Sequence, residues 1–201
     1  LASLNHALSL SPQGSEQEAR IFYSKSYPLL AKGRLKEGWE MYAYGFKPNS
    51  KLSRAPKRNF NIPQWRGETI HGKKLLIWRE QGLGDELMFS HIIPEVFSLC
   101  DDIIIECEER LITLFQRSFP HCHVRKQQFD VLSGLSTTND FDFHIPMGSL
   151  TGLFRNDISP FQRGKPYLIP NPERIQDFST RLASYKGKKF VGICWRSGVV
   201  N

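Results

Sequence analysis

Apolar residues at three- and four-residue spacing predict two short helices near the beginning of the chain. Between residues 15 and 33, the apolar positions on one helical face are Ala19, Phe22, Tyr23, Tyr27 and Leu30. Gly33 ends this helix, and the segment LKEGWEMYAYGF then places Leu35, Trp39 and Tyr42 on one face of a second helix. Two antiparallel helices cannot bury such a face alone. We therefore expect the pair to pack on the following domain or to end a longer helical array.

From residue 74 the pattern changes to short aliphatic runs that alternate with helical segments. Strands are predicted at LLIW, DIIIEC, CHVRK and FDFHIP. Helices are predicted at DELMFSHIIPEVFSL, with a kink at Pro94, and at ERLITLFQRSF, GSLTGLF and PERIQDFSTRLASY. The last helix leads into a further strand, FVGICW, whereas residues 127–140 have no clear period and are expected to form a loop. This alternation is typical of an α/β fold, a parallel sheet with flanking helices.

The length of 201 residues fits one full domain and part of another. The chain begins with Leu1 rather than methionine and ends in KKFVGICWRSGVVN, a predicted strand and glycine turn. We therefore expect both ends to be cut from a longer protein.

Membrane and secretory signals are missing from the sequence. No window reaches the roughly 18 consecutive apolar residues of a membrane span, and the N-terminus lacks a signal-type pattern. The four cysteines, Cys100, Cys107, Cys122 and Cys194, are scattered without a CxxC pair. Buried thiols in a reducing cytoplasm are therefore expected, rather than disulfides or a zinc site.

The net charge of +7 and the isoelectric point near 9.3 favour an anionic partner, such as a sugar nucleotide, a lipid surface or a nucleic acid. The densest basic segment is KLSRAPKRNFNIPQWRG, residues 51–67, and we expect it to be a solvated connecting loop. Because no RNA- or DNA-reading motif accompanies it, nucleic acid is only a third option and is not expected as a partner.

The segment GLGDEL directly follows the first predicted strand. A strand, a Gly-x-Gly turn and a helix place backbone N–H groups at the carboxyl edge of the sheet, where open α/β sheets bind ligands. In a dinucleotide site the pyrophosphate lies on this turn. Here Asp85 and Glu86 would repel a phosphate, so a dinucleotide site is rejected as the primary interpretation.

Two interpretations of Asp85 remain open on the residues alone. Its side chain can act as a helix N-cap, which typically contributes about 0.5–2 kcal/mol. An ionised carboxylate at a ligand-binding edge can also accept a proton from a substrate hydroxyl, which is the task of a general base. Glu80 and Glu86 lie near the same turn and rank below Asp85, because the helix dipole already explains an acid at position 86.

Four motifs in order resemble a known family: GRLKEGWEMYAYGF with PQWRGETIHGKKLLIWREQGLGDELMFSHIIPEV, then FDFHIPMGSL, KPYLIP and VGICWRSG. Over residues 18–198 the chain resembles the glycosyltransferase-like domain that follows tetratricopeptide repeats in many bacterial proteins. That domain is similar to the heptosyltransferases and, more distantly, to O-linked N-acetylglucosamine transferase.

The resemblance implies the two-domain glycosyltransferase B architecture, in which two Rossmann-like domains face each other across a cleft. Residues 1–48 would then form a tetratricopeptide-like helical hairpin and residues 49–73 a basic linker. Residues 74–170 would form the Rossmann-like acceptor-side domain. Residues 171–201 would form a linker helix and the first strand of a truncated donor-binding domain.

The resemblance also assigns roles to residues at the cleft. Asp85 matches the proposed base of heptosyltransferase-like relatives. From its position before the glycine pair, Gln81 could hydrogen-bond a sugar hydroxyl, and its alternative is a loop residue satisfied by the backbone. Gly82, Leu83 and Gly84 of the same turn are also candidates for contact with substrate. Arg196, Ser197 and Gly198 would meet the donor diphosphate. The alternative for that segment is a core aromatic at Trp195 followed by an ordinary turn.

Two further residues are candidates for substrate binding at the same edge. His144 lies in FDFHIP, in a strand expected beside the first one, and its alternative is a buried strand histidine. Ser149 opens the next helix, where it can also serve as an N-cap.

The leading hypothesis is an inverting glycosyltransferase that moves a sugar from a nucleotide-sugar donor to a hydroxyl of a protein, lipid or polysaccharide. No cofactor is implied beyond that donor. No Asp-x-Asp metal motif is present, and basic groups can neutralise the leaving diphosphate without a metal. The alternative is a non-catalytic scaffold that binds a glycan, or binds a protein through its helical hairpin.

Overall fold

The computed structural model describes residues 1–47, 54, 56–161 and 166–193. The chain forms two compact units, Leu1–Ile169 and Pro170–Asn201. In the first unit, the helices are α1 (Ala2–Ser9), α2 (Glu16–Ala31), α3 (Leu35–Tyr42), α4 (Leu83–Phe89), α5 (Ile93–Val96), α6 (Ile112–Ser118) and α7 (Leu150–Phe154). Its strands are β1 (Lys74–Trp78), β2 (Asp102–Cys107), β3 (His123–Lys126) and β4 (Phe143–Pro146).

The two helices predicted from the apolar spacing near the beginning of the chain are present as α2 and α3. Ser15 caps α2, because its side chain accepts a hydrogen bond from the Glu18 N–H at 3.1 Å. Gly33 has a positive φ of 73° and turns the chain into α3. The helices pack closely at Gly38, where a Cβ atom would lie 2.5 Å from Leu30 Cδ2. Helix α3 continues as a 3-10 turn, Ala43–Phe46.

The four strands form one parallel sheet in the order β3-β2-β1-β4. Ile77 in β1 lies in register with Ile105 in β2 and with Ile145 in β4. Helices lie in the connections from β1 to β2 and from β2 to β3, whereas residues 127–142 join β3 to β4 without a helix. The predicted α/β class, a parallel sheet with flanking helices, is confirmed and is consistent with a Rossmann-like fold. All carboxyl ends of the strands, from Trp78 to Pro146, meet at one edge of the sheet.

Apolar side chains are buried on both faces of this sheet, as expected for parallel strands covered by other elements. The larger core combines alternate residues of the strands with the helices and includes Tyr42, Trp65, Leu75, Ile77, Phe89, Ile93, Ile105, Phe115 and Ile145. A smaller core on the other face consists of Leu76, Trp78, Ile104 and Phe141, against which Phe46, Phe60 and Ile62 pack.

The helix predicted after β1 is interrupted near the predicted kink. Helix α4 ends at Phe89, a 3-10 turn follows at Ser90–Ile92, and α5 begins at Ile93. Pro94 has no N–H with which to continue the α-helical hydrogen bonds of the preceding turn, which accounts for the break.

Some residues of the basic segment before β1 are buried, although the segment was predicted to be a solvated loop. Arg54 and Trp65 are each 1% exposed, and Arg58 is 9% exposed. The prediction was wrong for Arg54 and Arg58 because buried carboxylates at the sheet edge neutralise them. It was wrong for Trp65 because this side chain belongs to the larger core.

Cysteines 100, 107 and 122 are buried free thiols, as predicted. Burial raises the pKa of Cys107 and of Cys122, each to about 12, so both stay protonated at neutral pH. Cys194 lies outside the described residues.

The second unit contains α8 (Pro172–Leu182), followed by a 3-10 turn, Ala183–Tyr185. The side chain of Asn171 caps α8 by accepting hydrogen bonds from the N–H groups of Glu173 and Arg174. The strand predicted at FVGICW is not formed over residues 190–193, and its remainder lies outside the described residues. Within the part of the chain that the structure describes, no helix is long and apolar enough to cross a membrane.

Candidate functional site

The Gly-x-Gly turn follows β1 at the carboxyl edge of the sheet and forms the N-terminal end of α4. Gly82 is the N-cap of α4, and Asp85 is the third residue of the helix. The N-cap interpretation, one of the two left open for Asp85, was therefore wrong, because Gly82 occupies that position. Its carboxylate instead reaches back, and Oδ2 accepts a hydrogen bond from the Gly82 N–H at 3.0 Å. This is the returning half of a capping box.

Asp85 is partly exposed, unlike the other two acids of the turn. The Gly82 N–H donates only to Oδ2 of Asp85, and no partner for Oδ1 is found among the described residues. One carboxylate oxygen thus fixes the side chain, while the other is available at the edge where open α/β sheets bind ligands.

Both carboxylate oxygens of Glu80 accept hydrogen bonds from other parts of the fold. It is 1% exposed, and its Oε2 accepts a hydrogen bond from Arg54 Nε at 2.6 Å. Its Oε1 accepts from Arg54 Nη2 and, at 2.8 Å, from the Gly148 N–H. This arrangement joins the end of β1 to the segment that follows β4.

Arg54 is the cation at the centre of this network. Its guanidinium carbon lies 4.2 Å from the ring centre of Tyr42 and 4.1 Å from that of Phe46, both in the helical hairpin and its 3-10 extension. Its Nη2 also donates to Ser149 Oγ at 3.0 Å. Ser149 precedes α7 at the N-cap position, but its hydroxyl makes no capping hydrogen bond and accepts from Arg54 instead.

Glu86 is buried on the other side of the turn. Its Oε1 lies 2.8 Å from Arg79 Nε, and its Oε2 accepts a hydrogen bond from the Glu108 N–H at 2.8 Å. Burial, only partly offset by these contacts, raises the pKa of Glu86. The side chain therefore links α4 to the segment after β2 and does not face solvent.

Gln81 precedes the first glycine of the turn in a left-handed conformation, with a φ of 58°. Among the described residues it alone combines a positive φ with a side chain. Its Nε2 donates a hydrogen bond to the hydroxyl of Tyr42, which belongs to α3. The turn is therefore tied directly to the helical hairpin.

A recess of about 350 Å³ opens beside this contact, between α3 and the corner that joins β4 to α7. Its walls include Trp39, Tyr42, Arg54, Gln64, Ser149 and Asn156. Tyr42, which lines the recess, also contacts Gln81, so one side chain connects the recess to the residue before the Gly-x-Gly turn. Aromatic faces with a few hydroxyl and amide groups are typical of small-ligand sites.

His144 lies away from this recess, inside the smaller core. It is 9% exposed and stacks on Phe60 with ring centres 3.8 Å apart, and its Nδ1 accepts a hydrogen bond from Trp78 Nε1 at 3.2 Å. Burial, together with the nearby charge of Arg58, lowers the pKa of His144 to about 4. The structure thus places His144 as a neutral strand histidine, which was the alternative interpretation.

Two residues of the site were missed from the sequence. Tyr42 was predicted only as part of an apolar helix face, and Arg54 only as one charge of a basic loop. Neither position carries a local signal, because their partners lie 39 and 26 residues further along the chain. The predicted diphosphate-binding residues Arg196, Ser197 and Gly198 lie outside the described residues. Within the described ranges, no group of three or more His, Cys, Asp or Glu side chains could hold a metal ion.

Replacing Arg54 by methionine should lower the free energy of unfolding by about 3–5 kcal/mol, because Glu80 would remain buried without its cation. Urea unfolding measures the loss. Arg34→Met is the matched control, since Arg34 pairs with Glu37 at the surface and such pairs contribute about 0–1 kcal/mol. A loss at position 54 no greater than at position 34 would contradict the structural role given to the pair.

His144 should make stability depend on pH. Its pKa is lower in the folded protein than in the unfolded chain, so protonation favours the unfolded state. The contribution of neutral His144 to the free energy of unfolding is therefore complete above about pH 6.5. It is lost as the pH falls toward 4, by up to about 1.4 kcal/mol per pH unit. His144→Gln, which can still accept from Trp78, should flatten this slope, whereas His6→Gln on the exposed face of α1 should not. Equal slopes in both variants and the parent would refute the assignment.

The chain was compared with protein-family models, solved structures and known protein sequences. No protein-family model matches it, and no solved structure matches it either. The chain is similar to protein FlbA of Caulobacter vibrioides, with 32% identical residues over 204 aligned positions. The aligned region covers 95% of this chain and 34% of FlbA, so the chain spans about a third of the length of that relative.

Proposed function

We propose that this chain is the acceptor-side part of an inverting, metal-independent glycosyltransferase with the glycosyltransferase B architecture, and that Asp85 is its general base. One observation carries the proposal. Of the three acids at the carboxyl edge after β1, Glu80 and Glu86 are buried and paired, whereas Asp85 is partly exposed with one carboxylate oxygen held by the Gly82 N–H.

The chemistry requires a proton acceptor beside a hydroxyl. Asp85 would take the proton of the acceptor hydroxyl as its oxygen forms a bond to the anomeric carbon of the donor sugar. The bond from that carbon to the nucleotide diphosphate breaks at the same time, and the diphosphate leaves with the electron pair on the opposite face, which inverts the configuration. Basic side chains and backbone N–H groups of the donor site would neutralise the leaving diphosphate.

The geometry of the turn supports this role for Asp85. The hydrogen bond from the Gly82 N–H restrains the carboxylate, so that little reorientation is needed when substrate binds. The neighbouring recess, with Ser149, Gln64 and Trp39 in its walls, offers hydroxyl, amide and aromatic groups to an acceptor. His144 has no part in this proposal, because its ring is buried in the smaller core.

The helical hairpin would be a tetratricopeptide-like unit. The close approach of α2 and α3 at Gly38 supports this assignment, since paired helices of this kind need a small residue at their contact. In the complete protein, the unit would dock a protein partner through surface that it does not use against the sheet domain.

Asp85→Asn in the full-length protein should lower the rate of sugar transfer by about 10²–10⁴-fold, the usual contribution of a general base. Stability should change little, because the amide oxygen of asparagine can still accept from the Gly82 N–H. The matched control is Asp101→Asn, an exposed acid before β2 at the opposite edge of the sheet, which should transfer at the parental rate. Turnover retained in Asp85→Asn would remove the base assignment.

A binding scaffold without catalysis is the alternative, favoured by the contact between the helical hairpin and the site. Thermal unfolding of the full-length protein distinguishes the two functions. A transferase should be stabilised by a nucleotide sugar and not by the free sugar, because the diphosphate supplies much of the binding energy. Stabilisation by a free glycan alone would favour the scaffold.

A further inference from the structure

The backbone at Gln81 needs an external restraint. A residue with a Cβ atom rarely adopts the left-handed conformation, because the Cβ then approaches the following carbonyl oxygen. Such residues persist only where the surrounding structure holds them, and they concentrate at functional sites. Gln81 has this conformation at the point where the chain leaves β1 and turns toward α4.

Both neighbours of Gln81 are held by other contacts. On one side, Glu80 is fixed by Arg54 and by the Gly148 N–H. On the other side, the Gly82 N–H donates to Asp85. The side chain of Gln81 itself is held by the hydroxyl of Tyr42.

Tyr42 is well placed to act as this restraint, because its ring cannot move freely. It is 5% exposed and lies between Trp39 and Phe89, with ring centres 5.6 and 6.2 Å away, and under the guanidinium of Arg54. Burial raises the pKa of Tyr42, so the hydroxyl stays protonated at neutral pH.

We propose that Tyr42 is a positioning residue of the site: its hydroxyl holds Gln81 in the left-handed conformation and thereby sets where α4 begins and where Asp85 lies. The helical hairpin then contributes a positioning residue to the site, in addition to the docking role proposed for it above. The catalytic consequence rests on the function proposed above, whereas the conformational consequence does not.

Hydrogen exchange of the turn amides, Gly82 to Glu86, tests the conformational part in the full-length protein. Tyr42→Phe keeps the ring and its contacts and removes only the hydroxyl. Exchange in the turn should become about three- to tenfold faster, which is the effect of losing one hydrogen bond. Exchange in α2 should stay within twofold of the parent.

Two substitutions at position 81 distinguish restraint of the backbone from simple loss of a contact. Glycine adopts a positive φ without strain, whereas alanine does not. In the Tyr42→Phe background, Gln81→Gly should therefore return turn exchange to within about twofold of the parent, and Gln81→Ala should leave it fast. Equal effects of glycine and alanine, or unchanged exchange in Tyr42→Phe, would overturn the proposal.

Tyr27→Phe is the matched control. It removes another hydroxyl of the same hairpin, which donates to Tyr23 at 2.9 Å and does not touch the turn. It should leave exchange of the turn amides unchanged. If Tyr27→Phe and Tyr42→Phe loosen α2, α3 and the turn alike, Tyr42 stabilises the hairpin only, and the positioning role is refuted.

Sugar transfer by the full-length protein tests the catalytic part. Tyr42→Phe should lower kcat by about three- to tenfold and leave the donor KM within twofold, because it displaces the base and not the donor contacts. Faster exchange with unchanged kcat would refute the catalytic consequence. If the parent protein transfers no sugar, the proposed function fails, while the exchange experiment still decides whether Tyr42 holds the turn.

Discussion

The buried ion pair between Arg54 and Glu80 is the interaction on which the rest of the site depends. Removing two charges from water is costly, and a buried pair repays this cost only where additional hydrogen bonds satisfy its remaining polar atoms. Here the Gly148 N–H and the Ser149 hydroxyl complete the hydrogen bonds, and two aromatic rings cover the guanidinium. The pair therefore joins four elements that are distant in sequence: the hairpin, the basic segment, β1 and β4.

A second buried pair repeats this arrangement on the neighbouring strand. Arg58 binds Glu106 at the carboxyl end of β2, and Arg125 in β3 binds the same carboxylate at 3.0 Å. Arg54 and Arg58 of the basic segment thus neutralise acids that the sheet places at one edge. Because an unpaired buried carboxylate would be strongly destabilising, Arg54 and Arg58 are integral to the carboxyl edge of the sheet.

Much of the fold could be predicted from the sequence, since strands and helices follow from local patterns. The run LLIW lies in a strand buried on both faces, and the spacing of Phe22, Tyr23 and Leu30 predicted α2. The two buried arginines could not be predicted, because their partners are 26 and 48 residues away and become neighbours only in the folded sheet. The position of Asp85 in α4 depends on the backbone angles of Gln81 and Gly82, and residue identity does not determine those angles. His144 was ambiguous for a related reason, since only the packing of Phe60 decides whether its ring is covered.

The acids at the carboxyl edge differ in their partners among the described residues: three of them contact arginines, and Asp85 does not. Glu80, Glu86 and Glu106 are each 1% exposed or less, and each faces an arginine. These pairs cancel the charge that would otherwise accumulate near the ends of β1 and β2. Asp85 is bound instead by a neutral N–H group, so its negative charge is not cancelled by an arginine contact. Among the acids of this turn, Asp85 alone combines partial exposure with the absence of an arginine contact within the described residues, and our proposal of a general base at this position rests on that difference.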